Sequence, residues 1–199
     1  EKRNAEGQRA AKAGLTEEHV EEESTGAPPP ETGGEETRQC AVLVNHGSFN
    51  PPHRGHVAMM VAAKRRLEQE GYQVLRGVLA VTDQRHILDK GSPALSEEVR
   101  LQCCDLICKE KGEDWIDSDE RGAEVRSGGA MIKKFIRAES QGATVFDVKG
   151  ADLTEKYGVR YHDPQVYVGR EGFMPPAEGT GPCFTCPEAG PETANYGLS

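Results

Sequence analysis

Residues 46 to 56 read His46-Gly47-Ser48-Phe49-Asn50-Pro51-Pro52-His53-Arg54-Gly55-His56. They follow a short apolar run, Cys40 to Asn45, and precede a segment in which Val57, Met60, Val61 and Leu67 recur at helical spacing until Gly71. A buried strand, a tight loop and a helix start are therefore expected in that order. Such a junction suits an anion, because a helix begins with unpaired N–H groups and the positive end of its dipole, and Gly47 and Gly55 permit close backbone approach. His53 and His56, three residues apart at the helix start, can turn both imidazoles toward one phosphate chain and donate hydrogen bonds where charge grows. A plain Pro-rich turn, or a pair of metal-ligating histidines, is the alternative reading of the same residues. No third ligand at metal-site spacing lies nearby, so no metal site is assigned.

The rest of the chain repeats the strand and helix alternation. Val74 to Val81 reads as a second buried strand, with Thr82 to Pro93 as the loop at its carboxyl end. Ser96 is a suitable N-cap for a helix to about Lys111, with Val99, Cys103, Leu106 and Ile107 as its inward stripe. Trp115 and Ile116 open a short strand, Ser127 to Gln141 is helical, Ala143 to Val148 is a strand, and Pro164 to Gly169 is one more. Alternation of this kind predicts an α/β fold with a Rossmann-like, doubly wound parallel sheet, whose ligands sit at the carboxyl ends of the strands. At one such end, Gly150 and Asp152 offer close approach and a carboxylate suited to ribose hydroxyls. A Gly-x-Asp turn that merely caps a helix is the plainer alternative.

Composition limits the remainder. Residues 1 to 39 carry ten acidic and five basic side chains, Pro28 to Pro30 and almost nothing large and apolar, so a disordered acidic tail is expected there. The domain is placed at 40–170, and 171–199 reads as an irregular Pro, Gly and Cys-rich segment, possible as a truncated end. A net charge of −9 argues against a general nucleic-acid partner, and no apolar run of eighteen residues or secretory leader is visible. Lys64, Arg65 and Arg66 read as a solvated helix face. The six cysteines do not form a disulfide framework; Cys104 and Cys108 suit a buried helix face, and reduced thiols point to an intracellular, cytoplasmic or nuclear, setting. Cys183 and Cys186 have the spacing of half a zinc site without its other half.

The stretch Gly47-Ser48-Phe49-Asn50-Pro51-Pro52-His53-Arg54-Gly55-His56 resembles the phosphate-binding signature of the nucleotidylyltransferase superfamily, and the Ser-Phe-Asn-Pro version is most similar to nicotinamide or nicotinate mononucleotide adenylyltransferases. Gly150-Ala151-Asp152-Leu153 resembles their second landmark, about a hundred residues on. The resemblance covers residues 40 to 170. It implies transfer of AMP from ATP, with Mg²⁺ entering on ATP, to a mononucleotide acceptor, forming NAD or its deamido form and pyrophosphate. His53 and His56 would be catalytic, Gly47, Ser48, Phe49 and Lys90 would hold ATP phosphates, and Gly150 and Asp152 would hold a nucleotide ribose. Lys90 reads equally well as a solvent-exposed lysine. Arg100 falls where these proteins have an arginine, implying a loop-pinning role.

Two departures widen the choice. The Trp-Glu pair of the acceptor pocket is replaced by Arg121-Gly122, Trp115 itself reads as core, and Tyr161 is the candidate second aromatic. The Ser-Ser-Thr-x-x-Arg segment that holds ATP phosphates does not occur, and Gly197-Leu198-Ser199 resembles its start. Phosphopantetheine, a flavin nucleotide or a phospho-alcohol with CTP are therefore alternative acceptors, a non-catalytic nucleotide-binding module is an alternative class, and a homo-oligomer is left open.

Overall fold

A computed structural model describes residues 38–124, 129–170, 172–179 and 181–187, with Glu124 and Gly129 described by backbone alone. The expected tail up to residue 37 and the ending at Gly197 to Ser199 lie outside the described residues. Six strands form the sheet: β1 Cys40–Gly47, β2 Gln73–Val81, β3 Ile116–Asp119, β4 Thr144–Gly150, β5 Gln165–Val168 and β6 Cys183–Cys186. Their order is β3-β2-β1-β4-β5-β6, and every pairing is parallel. The order reverses between β1 and β4, so the crevice at that switch point opens at the carboxyl ends of these two strands.

Among the described residues six helices accompany the strands: α1 Arg54–Gln69, α2 Gln84–Leu88, α3 Glu97–Lys111, α4 Arg121–Glu124, α5 Gly129–Glu139 and α6 Asp152–Tyr157. A central strand covered on both faces must be apolar on both. Accordingly, Leu43, Phe146 and Val148 pack with Val57, Met60 and Leu67 of α1 and Cys104 and Cys108 of α3, while Val42, Val44 and Val145 pack with Ile132 and Ile136 of α5. Gly71, at φ +85°, stops α1 as expected, and Ser96 caps α3 by accepting from Val99 N–H at 3.3 Å. No helix among the described residues is long and apolar enough to cross a membrane.

Three expectations are corrected. On α3 the inward residues are Arg100, Cys104 and Cys108, whereas Val99 and Leu106 are exposed. Of the expected stripe, Ile107 packs against the core and Cys103 is half-buried, so the helix is rotated only far enough to bring Arg100 inside, where it finds carbonyl partners. The stretch read as irregular contains β6, which pairs with β5 from Gln165↔Cys183 to Val168↔Cys186. Its two cysteines, three apart on a strand, leave opposite faces, so they cannot close on one metal ion. Cys186 Sγ instead lies 3.6 Å from Ala62 O, and burial pushes its thiol up to about 12. Arg66 is not a solvated residue of α1: it donates to Thr185 O at 3.1 Å and pairs with Glu178 at 2.8 Å, tying α1 to β6.

Candidate active site

The loop after β1 is a compact cradle. Phe49 adopts φ +44°, a left-handed conformation uncommon outside glycine, and this turns its ring back over Gly47, where a Cβ would lie 3.4 Å from the ring. The buried Phe49 ring meets His56 edge-on at 4.8 Å. His56 in turn stacks on His53 with ring centroids 3.8 Å apart. The backbone N–H of His53 donates to His56 Nδ1 at 3.1 Å. That bond makes Nδ1 the acceptor of a neutral imidazole, so its proton stands on Nε2.

Both rings are held neutral. Burial, reinforced by the neighbouring positive charge of Arg170, depresses His53; burial, then His53, pushes His56 down to about 3. Burial also lowers His46, the next-to-last residue of β1, whose Nε2 is buried without a partner. A neutral imidazole with its proton on Nε2 donates to phosphate without carrying a permanent charge.

The loop is braced from behind. Arg100, fully buried on α3, donates from Nη1 to Ser48 O at 2.8 Å and from Nε to Leu95 O at 3.2 Å. Asn50 donates to Pro93 O at 2.8 Å and accepts from Leu95 N–H at 2.9 Å. The Arg100 guanidinium and the Asn50 amide thus clamp the loop after β2 to the loop after β1. Lys90 lies on the turn that follows α2 and is exposed; the described contacts do not bring it to the histidine pair.

The second landmark closes the other side of the crevice. Gly150 ends β4, and a Cβ there would lie 2.3 Å from Asp152 Oδ1 and 3.1 Å from Arg170 Cδ. Only glycine leaves both side chains in place. Asp152 begins α6 and pairs with Arg170 Nη1 at 2.9 Å. Arg170, two residues past the end of β5, is the candidate site residue that sequence reasoning passed over. Its signal is weak, a lone arginine after Val168-Gly169 at a strand's carboxyl end. On the same sheet, Asp147 of β4 is buried and paired with Lys133 at 3.2 Å and Lys149 at 3.1 Å.

The acceptor side differs from the resemblance. Arg121 is held by the carboxylates of Asp119 and Glu139, and Gly122 packs so closely on the end of β2 that a Cβ would meet Val81 O at 2.4 Å. Burial opposes ionisation of Asp119, but the Arg121 hydrogen bonds hold its carboxyl below the usual range. Trp115 packs against the core beside Gly77, with Lys64 Nζ 4.6 Å above its ring. Tyr161 lies over Gly179 and Gly181. Among the described residues no group of three or more His, Cys, Asp and Glu side chains could hold a metal ion.

The chain matches the Cytidylyltransferase-like family over residues 44–174. It is 36% identical over 115 residues to a nicotinamide/nicotinic acid mononucleotide adenylyltransferase of Oryza sativa subsp. japonica, covering 58% of this chain and 41% of that protein. The namesake protein of Arabidopsis thaliana is 34% identical over 105 residues, 51% of this chain and 43% of its own. The chain thus spans less than half the length of either relative. A solved Plasmodium falciparum nicotinic acid mononucleotide adenylyltransferase complexed with NaAD shares the fold, at a TM-score of 0.52 and 14% identity over 74% of each chain.

Proposed function

We propose that this chain, which belongs to the Cytidylyltransferase-like family, transfers AMP from ATP to nicotinamide or nicotinate mononucleotide. An acceptor phosphate oxygen attacks the α-phosphorus of ATP in line, the bond to the bridging oxygen of the β-phosphate breaks, and pyrophosphate leaves with its electron pair. NAD or its deamido form is the other product. The observation that carries this reading is the neutral His53 and His56 pair on the helix N-terminus, with one proton positioned on His56 Nε2. The names of the two plant relatives supply the acceptor.

In this mechanism His56 Nε2–H and His53 donate to the oxygens of the transferring and leaving phosphates, where negative charge grows. The Gly47 to Phe49 backbone lets the phosphates come close, and Arg170 lies near enough to add positive charge beside the histidines. Asp152 is proposed to face the nucleotide ribose with its free oxygen while the other holds Arg170. Lys90 is proposed to reach the phosphates from its turn when nucleotide binds. Mg²⁺ bound to the incoming ATP would supply charge neutralisation of its phosphates, to which the described residues add only the histidine donors and Arg170. A cytoplasmic or nuclear setting is proposed on the ground that all six cysteines are free thiols.

The test is pyrophosphate release by the full-length protein with ATP or CTP against nicotinamide mononucleotide, nicotinate mononucleotide, phosphopantetheine, a flavin nucleotide and a phospho-alcohol. Turnover with ATP and either pyridine mononucleotide is expected. Turnover with CTP alone, or with ATP only on another acceptor, overturns the reading.

A further inference from the structure

Two neutral imidazoles leave part of the chemistry undone. When a nucleotidyl group is transferred, pyrophosphate departs with the electron pair of the broken bond, so negative charge grows on the leaving phosphates. A neutral histidine donates a hydrogen bond there but offsets no charge. Arg170 is the cation that adds to burial in lowering both rings, and Asp152 is not among the charges acting on them.

Register, contact and backbone together place its guanidinium. β1 pairs with β4 at Val44↔Asp147, and the same register carried three residues on sets Gly150 beside Gly47, about 4.8 Å away. The Arg170 side chain lies on Gly150, where a Cβ would stand 3.1 Å from its Cδ and 3.4 Å from its Nη1. The guanidinium thus borders the loop that begins at Gly47. Its backbone is held as well: Arg170 N–H donates to Phe173 O at 3.1 Å and Phe173 N–H to Arg170 O at 2.8 Å, around Gly172 at φ +79°. Nη1 donates to Asp152 at 2.9 Å, whereas among the described residues neither Nε nor Nη2 has a partner. Neither is one of the buried orphan nitrogens, so a ligand can reach both. Nε–H and Nη2–H form one edge of the guanidinium, the fork that meets two phosphate oxygens at once.

We propose that this free edge of Arg170 binds the departing pyrophosphate, and that Asp152, through its bond to Nη1, is the residue that positions it. The assignment rests on the reading of the crevice as a nucleotidyl-transfer site. It gives Asp152 a task toward a ligand that has no ribose.

Inorganic pyrophosphate carries no ribose, base or acceptor, and its isothermal titration into the full-length protein is the test. Wild type binds it, Arg170→Gln weakens binding on the order of tenfold or more, and Arg170→Lys, a cation without a fork, recovers only part. Adenosine, titrated in parallel, still binds the Arg170 variants, which shows that the crevice is folded. Asp152→Asn removes a negative charge, so in the Arg170→Gln background it strengthens pyrophosphate binding; with Arg170 present that gain is cancelled or reversed, because the fork is no longer held. The proposal is overturned by a wild type that does not bind pyrophosphate, by an Arg170→Gln protein that binds it equally well, or by Asp152 and Arg170 effects that simply add. A different acceptor would leave all these titrations unchanged, so their failure is distinct from failure of the pyridine mononucleotide reading.

Discussion

Arg170 Nη1 stands 2.9 Å from Asp152 Oδ1, joining the carboxyl ends of the neighbouring strands β5 and β4 beside the crevice. Asp152 is therefore a partly occupied acceptor, and its pairing holds the arginine whose charge is felt at both histidines. Replacing Arg170 by Ala removes a positive charge that adds to burial in depressing both rings, more for His53 than for His56. The His53 and His56 resonances, followed by NMR titration, are expected to ionise at higher pH in the variant. Loss of one charge-assisted contact to phosphate is expected to lower kcat/KM by roughly tenfold to a hundredfold. Unchanged histidine titrations would separate Arg170 from the site.

The neutral histidines make the fold sensitive to acid. His56 ionises at about 6.5 when unfolded and about 3 when folded, so between those values the unfolded chain binds more protons. The stability it contributes is present above 6.5 and is lost progressively as pH falls toward about 3. His56→Gln cannot titrate. Denaturant midpoints of wild type and variant measured across that window should show the wild type losing ground to the variant as pH falls; parallel curves would contradict a buried neutral imidazole.

Much of this arrangement is legible in the residues. The run from Gly47 to His56 fixes a strand, a turn and a helix start by local chemistry alone, and Gly71, Ser96 and Gly150 punctuate where they stand. What the residues hide is long-range. Val99 and Leu106 look like an inward stripe because apolarity usually decides which face of a helix is buried; here Arg100 goes inside, where the carbonyls of Ser48 and Leu95, fifty-two and five residues away in sequence, accept from its Nη1 and Nε while its Nη2 is buried without a partner. The strand at Cys183–Cys186 is four residues long amid Pro and Gly, and only its partner β5 makes it one. Arg170 carries no motif, and its role follows from the pairing with Asp152.

The buried clamp has a measurable strength. Arg100→Ala removes two hydrogen bonds from a charged donor, each worth about 1.5 kcal/mol, so about 3 kcal/mol of stability should be lost by chemical denaturation. Asn50→Ala, which frees the loop at Pro93 and Leu95, should cost about 1 to 2 kcal/mol and raise KM more than it lowers kcat. A loss in kcat alone would place Asn50 in the chemical step instead.

The most direct measurement follows the α-phosphorus itself. The full-length protein is given ATP labelled at the α-phosphate together with nicotinamide or nicotinate mononucleotide, and the products are separated. The label is expected in the dinucleotide and none in pyrophosphate, with the rate reduced on the order of a hundredfold or more in His56→Ala. Label appearing in free AMP alone, or a His56→Ala protein that turns over at the wild-type rate, would contradict adenylyl transfer at the histidine pair.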